Sequence, residues 1–307
     1  MPFSRRAALS GLGAALALPV AAQAAGAGTG GYTRVILLGT KGGPTPSPYR
    51  AAPATLLLLG GRAWIVDCGN GVAGQLAKAG VGLGQVDRIF ITHNHSDHVI
   101  DLGTLLVLAW DGGLDHRVGI YGPPPISDIV RHSIAASGFD IAARRREEGH
   151  GPIGPLLEVH QLDRAGPVAS ADGVTVTCAL VDHYTVKPAF AYRFDMPDRS
   201  VVVSGDTTYS KALIALAKGA DLLIHEAIYP PAIDRLAGAD SALRDHLLRS
   251  HTSAEQAGKA AAEAGVRKLV LSHLVPASPD VTDEMWESEV RKSFQGELLI
   301  GRDLMEV

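Results

Sequence analysis

The sequence predicts an α/β protein, with two β-sheets stacked face to face and helices over their outer surfaces. Three observations predict it. Strand-like runs rich in β-branched, aromatic and leucine residues recur in both halves of the 307 residues, helix-like segments lie between them, and histidines and aspartates fall just after strand ends. An apolar share of 46% with 20% charged residues is that of a soluble globular protein. No internal repeat or low-complexity linker divides residues 32–307, which read as one domain built of two similar halves.

The start of the chain stands apart. Arg5-Arg6, an uncharged stretch at 11–22 and the small-residue pattern Ala22-Gln23-Ala24 have the form of a secretory signal peptide of the twin-arginine type. The stretch is too short and too weakly apolar for a stable membrane anchor. Residues 1–24 are expected to be removed on export to a bacterial periplasm, and 25–31, all Gly, Ala and Thr, to form a flexible lead. Loss of 1–24 takes away two arginines and no acid, so the formal charge moves from −4 to −6. That balance disfavours nucleic acid, whose binding depends on neutralising phosphates with Lys and Arg. Cys68 and Cys178 sit in strand-like segments and read as buried free thiols.

The elements follow in order. Residues 33–38 are a first strand, running into a Gly/Pro-rich loop to Pro53. Residues 54–60 and 63–67 form a hairpin that turns at Gly60-Gly61, and a short helix ends at Ala79. The apolar stretch 88–92 is a buried strand, with helix 102–110 behind it. A strand at 117–121 and a helix at 124–136, with Pro near its first turn, precede an irregular stretch at 138–155. The Arg144-Arg145-Arg146-Glu147-Glu148 run there reads as a solvated, self-neutralised face. Strands return at 156–162, 174–181, 190–194 and 200–203. Helix 211–218, strand 221–224, helix 252–264 capped by Thr252 or Ser253, strand 268–271, helix 281–293 and strand 297–300 complete the series.

The chemistry centres on Thr92-His93-Asn94-His95-Ser96-Asp97-His98. Four of these seven residues are good metal ligands, and imidazole and carboxylate are donors that Zn²⁺ favours. A strand alone cannot aim all four at one point, because its side chains alternate between faces; a strand running into a tight turn can. Further donors stand at other strand ends: His183, Asp206 and His273. A consistent assignment places His93, His95 and His183 on one metal and Asp97, His98 and His273 on the other, with Asp206 bridging. Asp67 is expected beneath the metals, fixing the tautomer of a ligating histidine. His225, beside Glu226, reads as the general acid and shares the catalytic step with Asp97. Tyr184, Lys187 and His251 are weaker candidates for substrate contact. Two Zn²⁺ ions are expected, with Mn²⁺ or Fe²⁺ also suited to such a donor set.

The motif Thr92-His93-Asn94-His95-Ser96-Asp97-His98 resembles the T-H-x-H-x-D-H of the metallo-β-lactamase superfamily. His183 before Pro188-Ala189-Phe190-Ala191-Tyr192-Arg193-Phe194 extends the likeness, as do Ser204-Gly205-Asp206-Thr207, Leu223-Ile224-His225-Glu226-Ala227, His251-Thr252-Ser253 and Leu271-Ser272-His273. Together they resemble the branch holding ribonuclease Z and periplasmic arylsulfatases. The resemblance implies a four-layer αβ/βα sandwich and a di-zinc site bridged by hydroxide. It also implies hydrolysis of a small-molecule ester, an aryl sulfate or a phosphodiester, and leaves a homodimer open. Only 194–203 lies where ribonuclease Z enzymes that carry a tRNA-gripping arm insert it. A lactonase or β-lactamase-type hydrolase of the same fold and a non-catalytic metal-binding protein are the alternatives.

Overall fold

The computed structural model describes residues 32–307; the expected signal peptide (1–24) and lead (25–31) lie outside them. One sheet holds β1 (Arg34–Gly39), β2 (Ala54–Leu59), β3 (Arg62–Val66), β4 (Val86–Phe90), β5 (Val118–Gly122) and β6 (Leu157–Gln161). The other holds β7 (Gly166–Ala171), β8 (Val174–His183), β9 (Val186–Asp195), β10 (Ser200–Val203), β11 (Leu222–Ile228), β12 (Lys268–Val275) and β13 (Glu297–Ile300). The chain then returns to the first sheet, where β14 (Met305–Glu306) pairs with β1, so among the described residues each sheet has seven strands.

Each sheet begins antiparallel and becomes parallel: β1–β3 then β3–β6, and β7–β10 then β10–β13. In consequence β1, β3 and β4 run one way in their sheet, and β8, β10, β11 and β12 share a direction in theirs. Loops after co-directional strands collect on one edge, the position where open α/β sheets bind ligands.

Alternation along each strand feeds two cores. Val35 and Leu37 of β1 face the second sheet, whereas Ile36 and Leu38 face helices. Helices Val72–Lys78, Leu102–Asp111 and Ile126–Ala136 cover the first sheet; Lys211–Leu216, Ala254–Ala264 and Asp283–Val290 cover the second. Four layers result, and strands buried on both faces read as continuous apolar runs. Phe90 sits at the middle of the stack, its ring centroid 5.1 Å from those of Tyr121 and Phe194 and 5.6 Å from that of Tyr192. Just beyond it the sheets are stitched together: Phe190 N donates to Thr92 O and the Tyr192 hydroxyl to Ile91 O, both at 2.9 Å.

Ser253 caps its helix, accepting from Gln256 N while Gln256 reaches back to Ser253 N. Cys68 and Cys178 are buried and free. One expectation needs correction, and several elements were not anticipated. Residues 138–155 are not irregular throughout: Gly138–Glu147 is a helix, stabilised by Arg144 pairing with Asp140 and Glu148 at i,i+4 spacing. β7 escaped notice because Gly166, Pro167 and Ser170 suit only an edge strand. Helices Pro230–Ala237 and Ser241–Ser250 fill the stretch between β11 and the capped helix. β14 is too short to show a pattern. Among the described residues no helix is long and apolar enough to cross a membrane.

Candidate metal centre

β4 ends at Phe90, and the segment after it carries the histidine motif. The expected tight turn is a single helical turn, Ser96–Val99, with His95 extended at its start. Helix geometry puts Asp97 and His98 on adjacent directions at that turn, both buried. Helix Leu102–Asp111 packs behind, through Leu102, Leu105 and Leu106. The other donors follow strand ends. His183 closes β8, Asp206 follows β10 across Gly205 (φ 57°), and His273 breaks β12 with a left-handed φ of 46°. Asp67, after β3, is also left-handed at φ 64°. Such conformations in non-glycine residues cost free energy and collect at functional sites.

These side chains meet in two groups, His93, His95, His183 and Asp206 in one and Asp97, His98 and His273 in the other, each group's donor atoms within 4.8 Å of one another. His95 Nδ1 lies 3.0 Å from His93 Nε2 and 3.1 Å from His183 Nε2. Asp206 belongs to both groups by position. Its Oδ2 is 3.7 and 3.9 Å from the Nε2 atoms of His93 and His183, and 3.4 and 3.2 Å from those of His98 and His273.

The donor set fits cations on three counts. Buried polar atoms ordinarily find hydrogen-bond partners, yet His98 Nε2, Asp206 Oδ1 and both ring nitrogens of His273 have none. Burial pushes the His93 and His183 imidazoles down, and His95 down to about 4, so all three keep the neutral form that ligation requires. Burial also opposes charge on His98, but the carboxylates of Asp206, Asp67 and Asp97 outweigh it and hold that imidazole well above its ordinary value. The negative field that favours a proton there also favours a metal cation.

The far nitrogens are anchored. His98 Nδ1 donates to Asp67 Oδ2 at 2.8 Å, and Asp67 is itself fixed by Thr92 N and Oγ1. His183 Nδ1 donates to Ser250 O at 2.9 Å. Carboxylate and carbonyl partners of this kind fix ring orientation and raise ligand basicity.

Glu226 faces the site, where its Oε1 lies 3.2 Å from His251 Nδ1 and accepts from Thr207 N and Thr252 N. His225, its neighbour on β11, therefore faces the other way. It is fully buried, its Nδ1 donates to Glu226 O, and it lines no part of the cavity over the donors. His251, and not His225, lines the cavity over the donors, with its Nδ1 3.9 Å from Asp206. Burial opposes its charge, but Glu226 first, then Asp206 and Asp97, raise it to about 9. Tyr184 and Lys187 are also away from the cavity: Tyr184 packs under Arg249 and Lys187 pairs with Asp182.

The cavity over the two groups has a volume of about 560 Å³. Its floor is His95, Asp97, Asp206 and His273, and its wall includes Leu236, Leu243 and Leu247 from the two unexpected helices. Two features of the site escaped sequence reasoning. His246 projects into the cavity from helix Ser241–Ser250. Gly42 passes so close to the donors that a Cβ there would lie 2.7 Å from His273 Nδ1 and 2.4 Å from Val275 Cγ2. Lys41 is the one Lys or Arg among the lining residues, with its Nζ donating to Gly42 O.

Two stacked sheets with this cluster at one edge define a hydrolase of the metallo-β-lactamase fold. Residues 62–274 match the family described as "Beta-lactamase superfamily domain". Ribonuclease Z of Mycobacterium bovis (strain BCG / Pasteur 1173P2) is 36% identical over 276 residues, 89% of this chain and 97% of that protein. The metallo-β-lactamase fold protein YhfI of Bacillus subtilis superposes with a TM-score of 0.67 at 24% identity, over 90% of this chain and 98% of its own. Human tRNase Z, short form, gives 0.64 at 23% identity, over 89% and 98%. The chain belongs to the β-lactamase superfamily, in its ribonuclease Z branch.

Proposed function

We infer that this chain hydrolyses small ester anions, phosphodiesters or aryl sulfate esters, with two divalent cations of the zinc type. His93, His95 and His183 would hold one, Asp97, His98 and His273 the other, and Asp206 both. When bound, such a pair lowers the pKa of water and stabilises charge on the group being transferred. The chain's own residues do the rest. Asp67 and the Ser250 carbonyl hold the ligating rings, Glu226 keeps His251 protonated and aimed, and His251 gives its proton to the leaving oxygen. The leucine wall excludes water and accepts an apolar leaving group.

The observation that carries this reading is the position of Asp206 Oδ2 between both histidine groups at the floor of the cavity. A small substrate is favoured by the cavity wall, which has three leucines and a single, internally tied lysine; a polynucleotide calls for a basic track. The relatives named ribonuclease Z favour a second reading, cleavage of an RNA phosphodiester. Action in the periplasm is part of the proposal and rests on the paired arginines and apolar stretch of residues 1–24. Zinc-loaded protein is to be assayed on bis(4-nitrophenyl) phosphate, 4-nitrophenyl sulfate, a lactone, a β-lactam and a precursor tRNA. Release of nitrophenol from the first or second is expected. Cleavage of the tRNA alone, or of none of the five, overturns the small-ester reading.

A further inference from the structure

We propose that His246 is a substrate-binding residue, donating from Nε2 to a non-bridging oxygen of the phosphoryl or sulfuryl group. The proposal rests on the ester-hydrolase reading of the same cavity.

Three observations carry it. The ring of His246 lines the cavity, with its centroid 6.1 Å from His95, 6.3 Å from His183 and 6.1 Å from His251. The centroids of His93, His95 and His183 stand only 4.7–4.9 Å apart. His246 thus stands farther from the donor histidines than these stand from one another, and it belongs to neither donor cluster.

Its orientation is fixed. Ser250, fully buried, lies 3.2 Å through its Oγ from His246 Nδ1. A hydroxyl donating to Nδ1 leaves the ring proton on Nε2, and among the described residues nothing hydrogen-bonds that atom. The backbone carbonyl of the same Ser250 accepts from His183 Nδ1. One residue therefore sets the aim of a donor-group imidazole and of the cavity-wall imidazole together. Such shared support holds a donor in place before the substrate arrives, which is what electrostatic stabilisation of a transferring group requires.

The placement also divides the work. His251 is backed by Glu226 and suited to give up a proton; His246 is backed by a hydroxyl and suited to hold a hydrogen bond without transferring one.

The test is calorimetric titration of zinc-loaded protein with inorganic phosphate and, in a second arm, inorganic sulfate, alongside elemental analysis and steady-state kinetics on bis(4-nitrophenyl) phosphate. His246→Phe keeps the ring and removes the donor. It is expected to weaken binding of the tetrahedral anion at least about tenfold and to raise KM more than it lowers kcat, with zinc content unchanged. His246→Gln, which carries an N–H near the Nε2 position, should recover most of the affinity. Ser250→Ala should lie between the two. Anion binding by His246→Phe equal to wild type overturns the proposal, and so does loss of zinc in that variant. If the protein binds phosphate through His246 but cleaves no ester, the inference stands and the hydrolase reading falls.

Discussion

The hydroxyl of Tyr192 donates to the carbonyl of Ile91 across the space between the two sheets, at 2.9 Å, with both residues fully buried. Ile91 is two residues before His93, so this bond fixes the base of the histidine motif from the opposite half of the molecule. Tyr192→Phe removes the donor and leaves the rest of the ring in place. An unpaired buried carbonyl costs about 1–3 kcal/mol. Urea unfolding of the metal-free variant is expected to show a loss in that range, with the slope of the transition unchanged.

Asp206→Ala removes the carboxylate that, alone among the described residues, reaches both histidine groups. Elemental analysis should find metal content well below that of wild type, and turnover of bis(4-nitrophenyl) phosphate should drop on the order of 100-fold or more. Full metal content with full turnover would contradict the bridging position.

His251→Ala and His225→Ala separate a proton donor from a buried support. Loss of a general acid costs roughly 10²–10⁴-fold, and the loss should shrink as the leaving group becomes a better anion. For His251→Ala a phenyl ester should therefore suffer far more than a 4-nitrophenyl ester. His225→Ala is expected to lower thermal stability while keeping kcat within about threefold, since large effects of buried substitutions act through packing.

Gly42→Ala would place a methyl group 2.7 Å from His273 Nδ1. The contact involves a short, buried part of both chains, so His273 or the backbone must shift. Metal held by Asp97, His98 and His273 should be released at lower chelator concentration than metal held by the His93 group. Equal release from both would show that the loop gives way without moving His273.

Metal itself should stabilise the fold. A ligand that binds only the folded state adds roughly 2.7 kcal/mol at a free concentration of 100 times its dissociation constant. Differential scanning calorimetry is expected to show a higher Tm with added zinc and a lower one after treatment with EDTA. An unchanged Tm would count against binding by the native protein.

Much of the site was legible because its donors sit where strand signals end. The motif at 92–98 is contiguous, and His183, Asp206 and His273 each follow a run whose apolar character marks a buried strand. His225 was expected at the site and lies away from the cavity, for a physical reason that the sequence does contain. Neighbours on a strand face opposite sides, so a Glu226 aimed at the donors excludes His225 from the same place. Helices Pro230–Ala237 and Ser241–Ser250 were not legible. Leu236, Leu243 and Leu247 line the cavity, and Ile233 and Leu247 join Ile228 and Val275 in a small core cluster, so neither short helix carries the long apolar stripe that normally announces one. With those helices hidden, nothing in the sequence could bring His246 to the site.

The return of the last strand to the first has a consequence for biosynthesis. β14 pairs with β1, and His273 lies within β12, so both the β14 edge of the first sheet and one metal-site donor come from strands late in the described residues. A truncated or stalled product would expose the His93 motif without its partners, a loose chelator with an open sheet edge. Synthesis past β12 is thus the step that turns a scavenging peptide into a defined cation cage.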